Sequence, residues 1–357
     1  GLDLGFLNNR LNVSFDAYIR DTKDMLMAGK TLPGVYGASS PRMNVADLRT
    51  KGWEASVTWG DSFTLASKPF NYRIMAGIGD NTSKVTKYDN PNRTLTDPYE
   101  GQQLGEIWGY VVDGYFKTDE EARNYKVDQS FVNQMINASA LDNGLHAGDL
   151  KFVDLDGNNK IEQTTSANDR KDMKVIGNSL PRYNYNFGIS ADWYGIDFSV
   201  LFQGIGKQNW YPGAETSMFW GPYSRPYASF IPSDFMSQVW SEENTDAYFP
   251  RPRGYVALGS NRELAVVNTK YLQNLAYCRL KNLSIGYTLP DKWLSKIGFE
   301  KIRVYFSGEN LLTFTKLHSD YIDPEQASAS NSWKTSKSDA NIYPWAKTYS
   351  FGVDITF

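Results

Sequence analysis

The chain ends, from Lys347 to Phe357, in a strict alternation. Tyr349, Phe351, Val353, Ile355 and Phe357 are apolar, and Ser350, Gly352, Asp354 and Thr356 between them are small or polar. A period of two puts each set on its own face of a β-strand. The same period recurs upstream, in Leu11, Val13, Phe15, Ala17 and Ile19, in Trp53, Ala55, Val57 and Trp59, and in Phe70, Tyr72, Ile74, Ala76 and Ile78. It is longest in Tyr183, Tyr185, Phe187, Ile189, Ala191 and Trp193, and it resumes after Tyr194-Gly195 with Ile196, Phe198, Val200 and Phe202. A two-residue turn there sets apolar Trp193 opposite apolar Ile196, so the register is self-consistent. Later strands follow from Leu283, Ile285, Tyr287 and Leu289 and from Ile302, Val304 and Phe306. Cys278 and Leu280 fall on the other parity, which predicts a bulge near Lys281.

Strands of about ten residues match tilted crossings of a bilayer. The apolar faces end in aromatic residues, as at Trp53 and Trp59 or Tyr183 and Trp193. Connections alternate between short (Asn8–Arg10, Gly60–Pro69, Tyr194–Gly195, Pro290–Gly298) and long (26–43, 118–181, 211–273, 317–345). A soluble sandwich also alternates along its strands but has no reason to alternate its connections. The pattern therefore predicts an all-β, antiparallel transmembrane barrel. If 105–117 crosses the membrane, a descending strand is required within 89–104, and the count reaches about 10–11. An open sheet in lipid leaves backbone groups unpaired. Residues 1–357 are thus expected to be the C-terminal portion of a larger barrel, with Leu2–Phe6 and Tyr349–Phe357 pairing with strands of its N-terminal part.

Composition narrows this little. Lys and Arg number 37 against 40 Asp and Glu, a net charge of −3, which offers no basic face to nucleic acid. The single cysteine, Cys278, excludes an internal disulfide. A mean hydropathy of −0.49 does not exclude a membrane barrel, whose lumen-facing residues balance its lipid-facing ones.

Several stretches resemble the C-terminal half of the SusC/RagA family of TonB-dependent outer-membrane transporters. They are "NVADLRTKGWEASVTW", "GDLKFVDLDGNNKIE" with the following "NDRKDMKVIGNSLPRYNYNFGISADWYGIDFSVLFQG", "YCRLKNLSIGYTLP", "KIRVYFSGENLLTFT" and the terminal "GVDITF". They run in family order from about residue 9 to the end. The resemblance implies a 22-stranded barrel whose plug, remaining strands and TonB-contacting segment lie outside this chain. It implies residence in the outer membrane of a Gram-negative, Bacteroidetes-like cell, a SusD-like lipoprotein partner, energy from the TonB complex, and a dimer of SusC–SusD pairs. It also implies that the terminal Phe357 is read by barrel-assembly machinery.

Two candidate sites stand out. Asp154, Asp156, Asn158, Lys160 and Glu162 sit at a spacing of two, matching positions of an EF-hand-like Ca2+ loop in which Lys160 gives its carbonyl. Asn159 replaces the usual glycine and Thr165 the terminal acid, so Asp169 is the expected additional ligand. The bland alternative is a polar loop with Asx turns. Trp210, Tyr211, Phe219, Trp220, Tyr223, Tyr227 and Phe230 crowd one long connection and suit sugar faces, peptide side chains or a partner. The alternative is packing of the loops on one another. His146 and His318 are the only histidines, and no nucleophile elbow accompanies them. The expected activity is TonB-dependent import of an oligomeric nutrient, a glycan oligosaccharide first and an oligopeptide second. An outer-membrane protease or lipase barrel and a passive porin are the competing classes.

Overall fold

The structure, a computed structural model, describes residues 1–29, 32–133, 144–224, 230–252, 254–259, 261–294, 298–327, 337–338 and 343–357. In chain order the strands are β1 (Leu2–Phe6), β2 (Leu11–Ala28), β3 (Arg42–Leu65), β4 (Lys68–Lys87), β5 (Glu106–Tyr110), β6 (Val112–Tyr115), β7 (Leu150–Phe152) and β8 (Met173–Asn178). They continue with β9 (Arg182–Trp193), β10 (Ile196–Lys207), β11 (Asn209–Pro212), β12 (Gln273–Asn274), β13 (Tyr277–Thr288), β14 (Lys301–Thr315), β15 (Lys337–Ser338) and β16 (Thr348–Thr356).

Nine of these strands form one wall in the order β1-β2-β3-β4-β9-β10-β13-β14-β16. Each neighbouring pair is antiparallel. The apolar set of each strand meets the apolar set of the next, as in Ile302↔Ile355, Val304↔Val353 and Phe306↔Phe351. That face is bare: Phe351 is 83% exposed and Val353 58%. No described helix is long and apolar enough to cross a membrane. The two edges of the sheet, β1 and β16, each have one neighbour among the described residues.

The local expectations hold where turn chemistry or parity sets them. Trp193 faces Ile196 across the Tyr194-Gly195 turn. Both turn residues have positive φ, 49° and 85°, as a type I′ hairpin demands. The bulge lies at Lys281, where the register shifts between Leu280 and Asn282.

The strand count needs correction from about ten or eleven to nine among the described residues. Residues 105–117 do not cross with the wall. There β5 pairs with β8 and β6 with β7, while β4 pairs directly with β9. The whole of 88–181 is therefore one connection, and up and down strands alternate without the descending strand expected in 89–104. The reason is physical. Alternation marks any half-buried strand, and these two short strands are half-buried in a loop body, with Ile107, Tyr110 and Tyr115 enclosed.

The hydrophobic core of the chain lies at the rim of the wall that carries the long connections. Residues from 88–181, 208–276 and 316–327 form one cluster including Phe152, Trp210, Trp220, Phe249, Tyr271 and Ile322. At the opposite rim the connections are tight, apart from a helical turn at Asp291–Leu294 that buries Leu294.

Candidate functional site

The aromatic residues expected to meet ligand or partner are mostly core. Trp210, Tyr211, Trp220 and Tyr223 are at most 1% exposed and Phe219 is 2% exposed. Tyr211 Oη donates to the Leu264 carbonyl (2.8 Å), Trp220 Nε1 to Gly213 O (2.9 Å) and Tyr223 Oη to Pro250 O (2.6 Å). Phe219 stands edge-on to Trp220 at 4.8 Å, and Phe235 stacks on Phe249 at 4.7 Å. Burial raises the phenols of Tyr211 and Tyr271 well above the ordinary value and pushes Tyr248 up to about 12. These five rings hold the loops to one another, so the ligand-contact expectation is corrected for them. Phe230 alone is exposed, edge-on to Tyr321 at 4.8 Å. Tyr227 lies outside the described residues. The sequence carries no signal that separates these two outcomes, because a ring suits a core and a ligand equally.

The acidic loop folds through its own amides. Asp154 accepts from the Gly157 and Asn159 N–H groups (both 2.7 Å), and Asp156 from Asn158 N (3.1 Å). Asn158 Oδ1 accepts from Lys160 N (2.8 Å), and Asn158 Nδ2 donates to Glu162 (3.1 Å). Asn159 takes the left-handed turn with φ 63°, which Asn tolerates. The third carboxylate gathered with Asp154 and Asp156 is Asp172, with ligand atoms of the three within 4.8 Å of one another. Asp169 is not in this group; its N–H instead bonds Ser166 O at 3.1 Å. The spacing rule missed Asp172 because that residue comes from after the loop. It is fully buried and accepts from Leu155 N (2.9 Å) and Glu162 N (2.7 Å). Burial, with the charges of Asp156 and Asp154, raises its carboxyl above the ordinary value. Burial also pushes Asp154 upward, but amide donors including those of Asn159 and Gly157 outweigh it and leave that carboxyl lowered. Three oxygen donors suit a hard cation.

The polar face of the wall carries hydroxyls, carboxamides and glycines. Ser190, Ser199, Ser284, Ser307 and Ser350 lie on one rung crossing β9, β10, β13, β14 and β16. A hollow of about 360 Å³ is lined by residues including Ser14, Asp16, Glu54, Gly77, Asn184 and Asn186. Nearer the tight-turn rim, Arg303 reaches Asp197 (2.6 and 2.8 Å) and Asp354 (3.2 Å). It does so across Gly286, where a Cβ would stand 2.5 Å from the guanidinium. Both histidines lie in the loop body; His318 stacks on Tyr248 at 3.5 Å. Neither belongs to an arrangement of nucleophile, base and oxyanion donors among the described residues.

The chain is similar over its whole length to TonB-dependent receptor P3 of Formosa agariphila, with 28% identity and 33% of that protein covered. It matches TonB-dependent receptor SusC of Bacteroides thetaiotaomicron at 23%, again over the whole chain and 31% of that protein. Among solved structures the RagAB peptide transporter superposes with a TM-score of 0.68 at 20% identity, covering 99% of this chain and 34% of that one. The open–open state of the RagAB peptide importer gives 0.69 at 21% identity. No family model matches the chain. The chain spans about a third of the length of the curated relatives it matches. The nine-stranded wall thus shares the fold of the barrel in these transporter structures, in which form its bare apolar face is the outward one.

Proposed function

We propose that this chain, a SusC/RagA-type stretch of TonB-dependent receptor barrel, forms part of the pore wall through which an oligomeric nutrient is imported across the bacterial outer membrane. The observation that carries this is the likeness of the whole chain to receptors of this type, in sequence and in fold together. The open edges β1 and β16 then pair with strands from the rest of the protein, which also supplies the plug and the TonB-contacting segment. A SusD-like lipoprotein sits over the loop body, and energy comes through the TonB complex. The chain does no covalent chemistry in this reading. Its small polar inner face offers hydrogen bonds and leaves room for cargo.

The cargo is an oligosaccharide in the first reading. A second reading, oligopeptide, is supported by the likeness to a peptide transporter. Burial of the five rings removes them as a platform for sugar stacking. A Ca2+ ion held by Asp154, Asp156 and Asp172, with help from Glu162 and the Lys160 carbonyl, would tighten the acidic loop.

The test is deletion of the full-length gene in its own bacterium, with uptake of labelled oligosaccharides and oligopeptides measured with and without a functional TonB complex. Loss of one class of uptake, equally severe without TonB, is expected. Undiminished uptake in the deletion strain, or uptake that does not need TonB, contradicts the proposal.

A further inference from the structure

Three of the long connections leaving one rim, 88–181, 208–276 and 316–347, pack together, as a hinged lid or as a fixed structure. The first two are woven together. Tyr115 Oη lies 2.9 Å from Tyr271 Oη and donates to Tyr248 O at 2.5 Å. Leu150 N donates to the fully buried Glu263 at 3.1 Å, and across 88–181 and 208–276 Tyr110 N donates to Val267 O (2.9 Å) while Tyr110 O accepts from Thr269 N (3.0 Å). The third connection joins them through Ser319 Oγ to Met218 O (2.8 Å) and His318 N to Gln273 Oε1 (3.3 Å).

Backbone bonds join the first connection to β4, as from Leu104 N to Ser83 O at 2.8 Å; the third connection is tied to the wall by a buried cation. Arg279 lies on β13 two residues before the bulge at Lys281, opposite Gln203 on β10 and Thr313 on β14. That register turns it to the lumen side, where its side chain is 3% exposed. Its guanidinium is filled on three sides: Thr313 Oγ1 at 2.9 Å, Glu325 at 2.6 Å and Asp323 at 2.5 Å. Lys281 adds a second cation on Glu325 at 2.7 Å. Asp323 also accepts from Glu325 N (2.9 Å) and from Trp345 N (3.1 Å). Trp345 lies three residues before β16, so the outgoing and returning ends of the 316–347 connection meet at one arginine. Ile322 and Ala327, beside these acids, belong to the aromatic core.

We propose that the Arg279 cluster is a strap that locks the loop body to the inner face of the wall, making it a fixed vestibule rather than a lid. A buried arginine with two carboxylates is costly to open, because parting them strands a charge away from water. Any opening at this end of the barrel then occurs in parts outside the strapped body. The inference rests on contacts within this chain and is independent of the cargo.

The test is amide hydrogen exchange on the purified full-length protein. In the wild type, 317–327 should exchange as slowly as the core around Phe249, and equally with and without cargo oligomers. Arg279→Met should speed exchange at 317–327 by on the order of a hundredfold. Arg279→Lys, which keeps the charge but loses the fork, should fall between. Asp323→Asn with Glu325→Gln should reproduce the Met variant with the arginine intact, which covers the case in which Arg279→Met does not fold. Wild-type exchange at 317–327 as fast as in the exposed 32–41 hairpin, or no acceleration in the double variant, would overturn the proposal.

Discussion

Trp220→Ala separates a structural role for the aromatic cluster from a ligand-binding one. Trp220 is fully buried on the turn Ser217–Trp220. Its ring meets Phe219 at 4.8 Å and 89° and Tyr271 at 5.1 Å and 70°. Truncating a fully buried tryptophan costs about 3–5 kcal/mol, the larger values where the cavity cannot collapse. The Gly213 carbonyl loses the donor that stood 2.9 Å away, which adds roughly 1 kcal/mol. A total of about 4–6 kcal/mol corresponds to a roughly thousandfold or greater rise in the open population of the loop body. The assay is amide exchange in 208–276 and near-ultraviolet dichroism of the full-length protein, with heat-modifiable migration reporting the wall. The wall should stay folded, since the ring partners of Trp220 all lie in the loop body. Phe230→Ala, at an exposed ring with one edge-on neighbour, should cost about 1 kcal/mol or less. A Trp220→Ala protein that keeps native protection but no longer binds cargo would refute the reasoning, because the ring would then be touching ligand.

Val353→Arg on β16, in the middle of the lipid-facing row, should destabilise the folded barrel by about 2–4 kcal/mol in vesicles, read from the urea midpoint; no shift would contradict the assigned face. Gly195→Val should cost about 1–3 kcal/mol, since φ is 85° and its Cβ would meet Thr288 O at 2.7 Å; an unchanged midpoint would argue against the type I′ turn. The raised phenols of Tyr211, Tyr248 and Tyr271 stabilise the loop body fully below the unfolded value near 10. That stability is lost as pH rises toward and past about 12, the value for Tyr248, so phenolate absorbance should appear together with loop unfolding rather than before it. Because the Asp172 carboxyl is raised, the metal-free acidic loop should gain stability as pH falls through that value, and added Ca2+ should abolish the trend and slow exchange at 154–172. Exchange indifferent to Ca2+ would remove the metal from the account.

The wall was legible in the sequence because its information is local. Trp193 and Ile196 flank a two-residue turn, and Leu280 and Asn282 flank a parity slip, so each register follows from neighbours in the chain. What was not legible depends on contacts distant in sequence. The strands at 106–115 alternate like wall strands, and only their pairing with 150–152 and 173–178 reveals that they belong to the loop body. Asp172 enters the acidic group from beyond the loop, and Asp169, better placed by count, does not. The aromatic residues were visible as a group, but burial is a property of the packed loops and not of composition. Arg279 gave no signal, because its partners lie 44 and 46 residues further on.

The central claim is that this chain is a transmembrane wall with odd-numbered residues of β16 toward lipid. It is tested most directly by spin labels placed one at a time at 349–355 in the full-length protein in lipid vesicles, with Cys278 replaced by serine. Accessibility to apolar oxygen and to a polar nickel chelate is then read at each site. The account predicts period-two alternation, with oxygen contact high at 349, 351, 353 and 355 and low at 350, 352 and 354. Alternation in the opposite phase, or uniform access of the chelate along the strand, would contradict it.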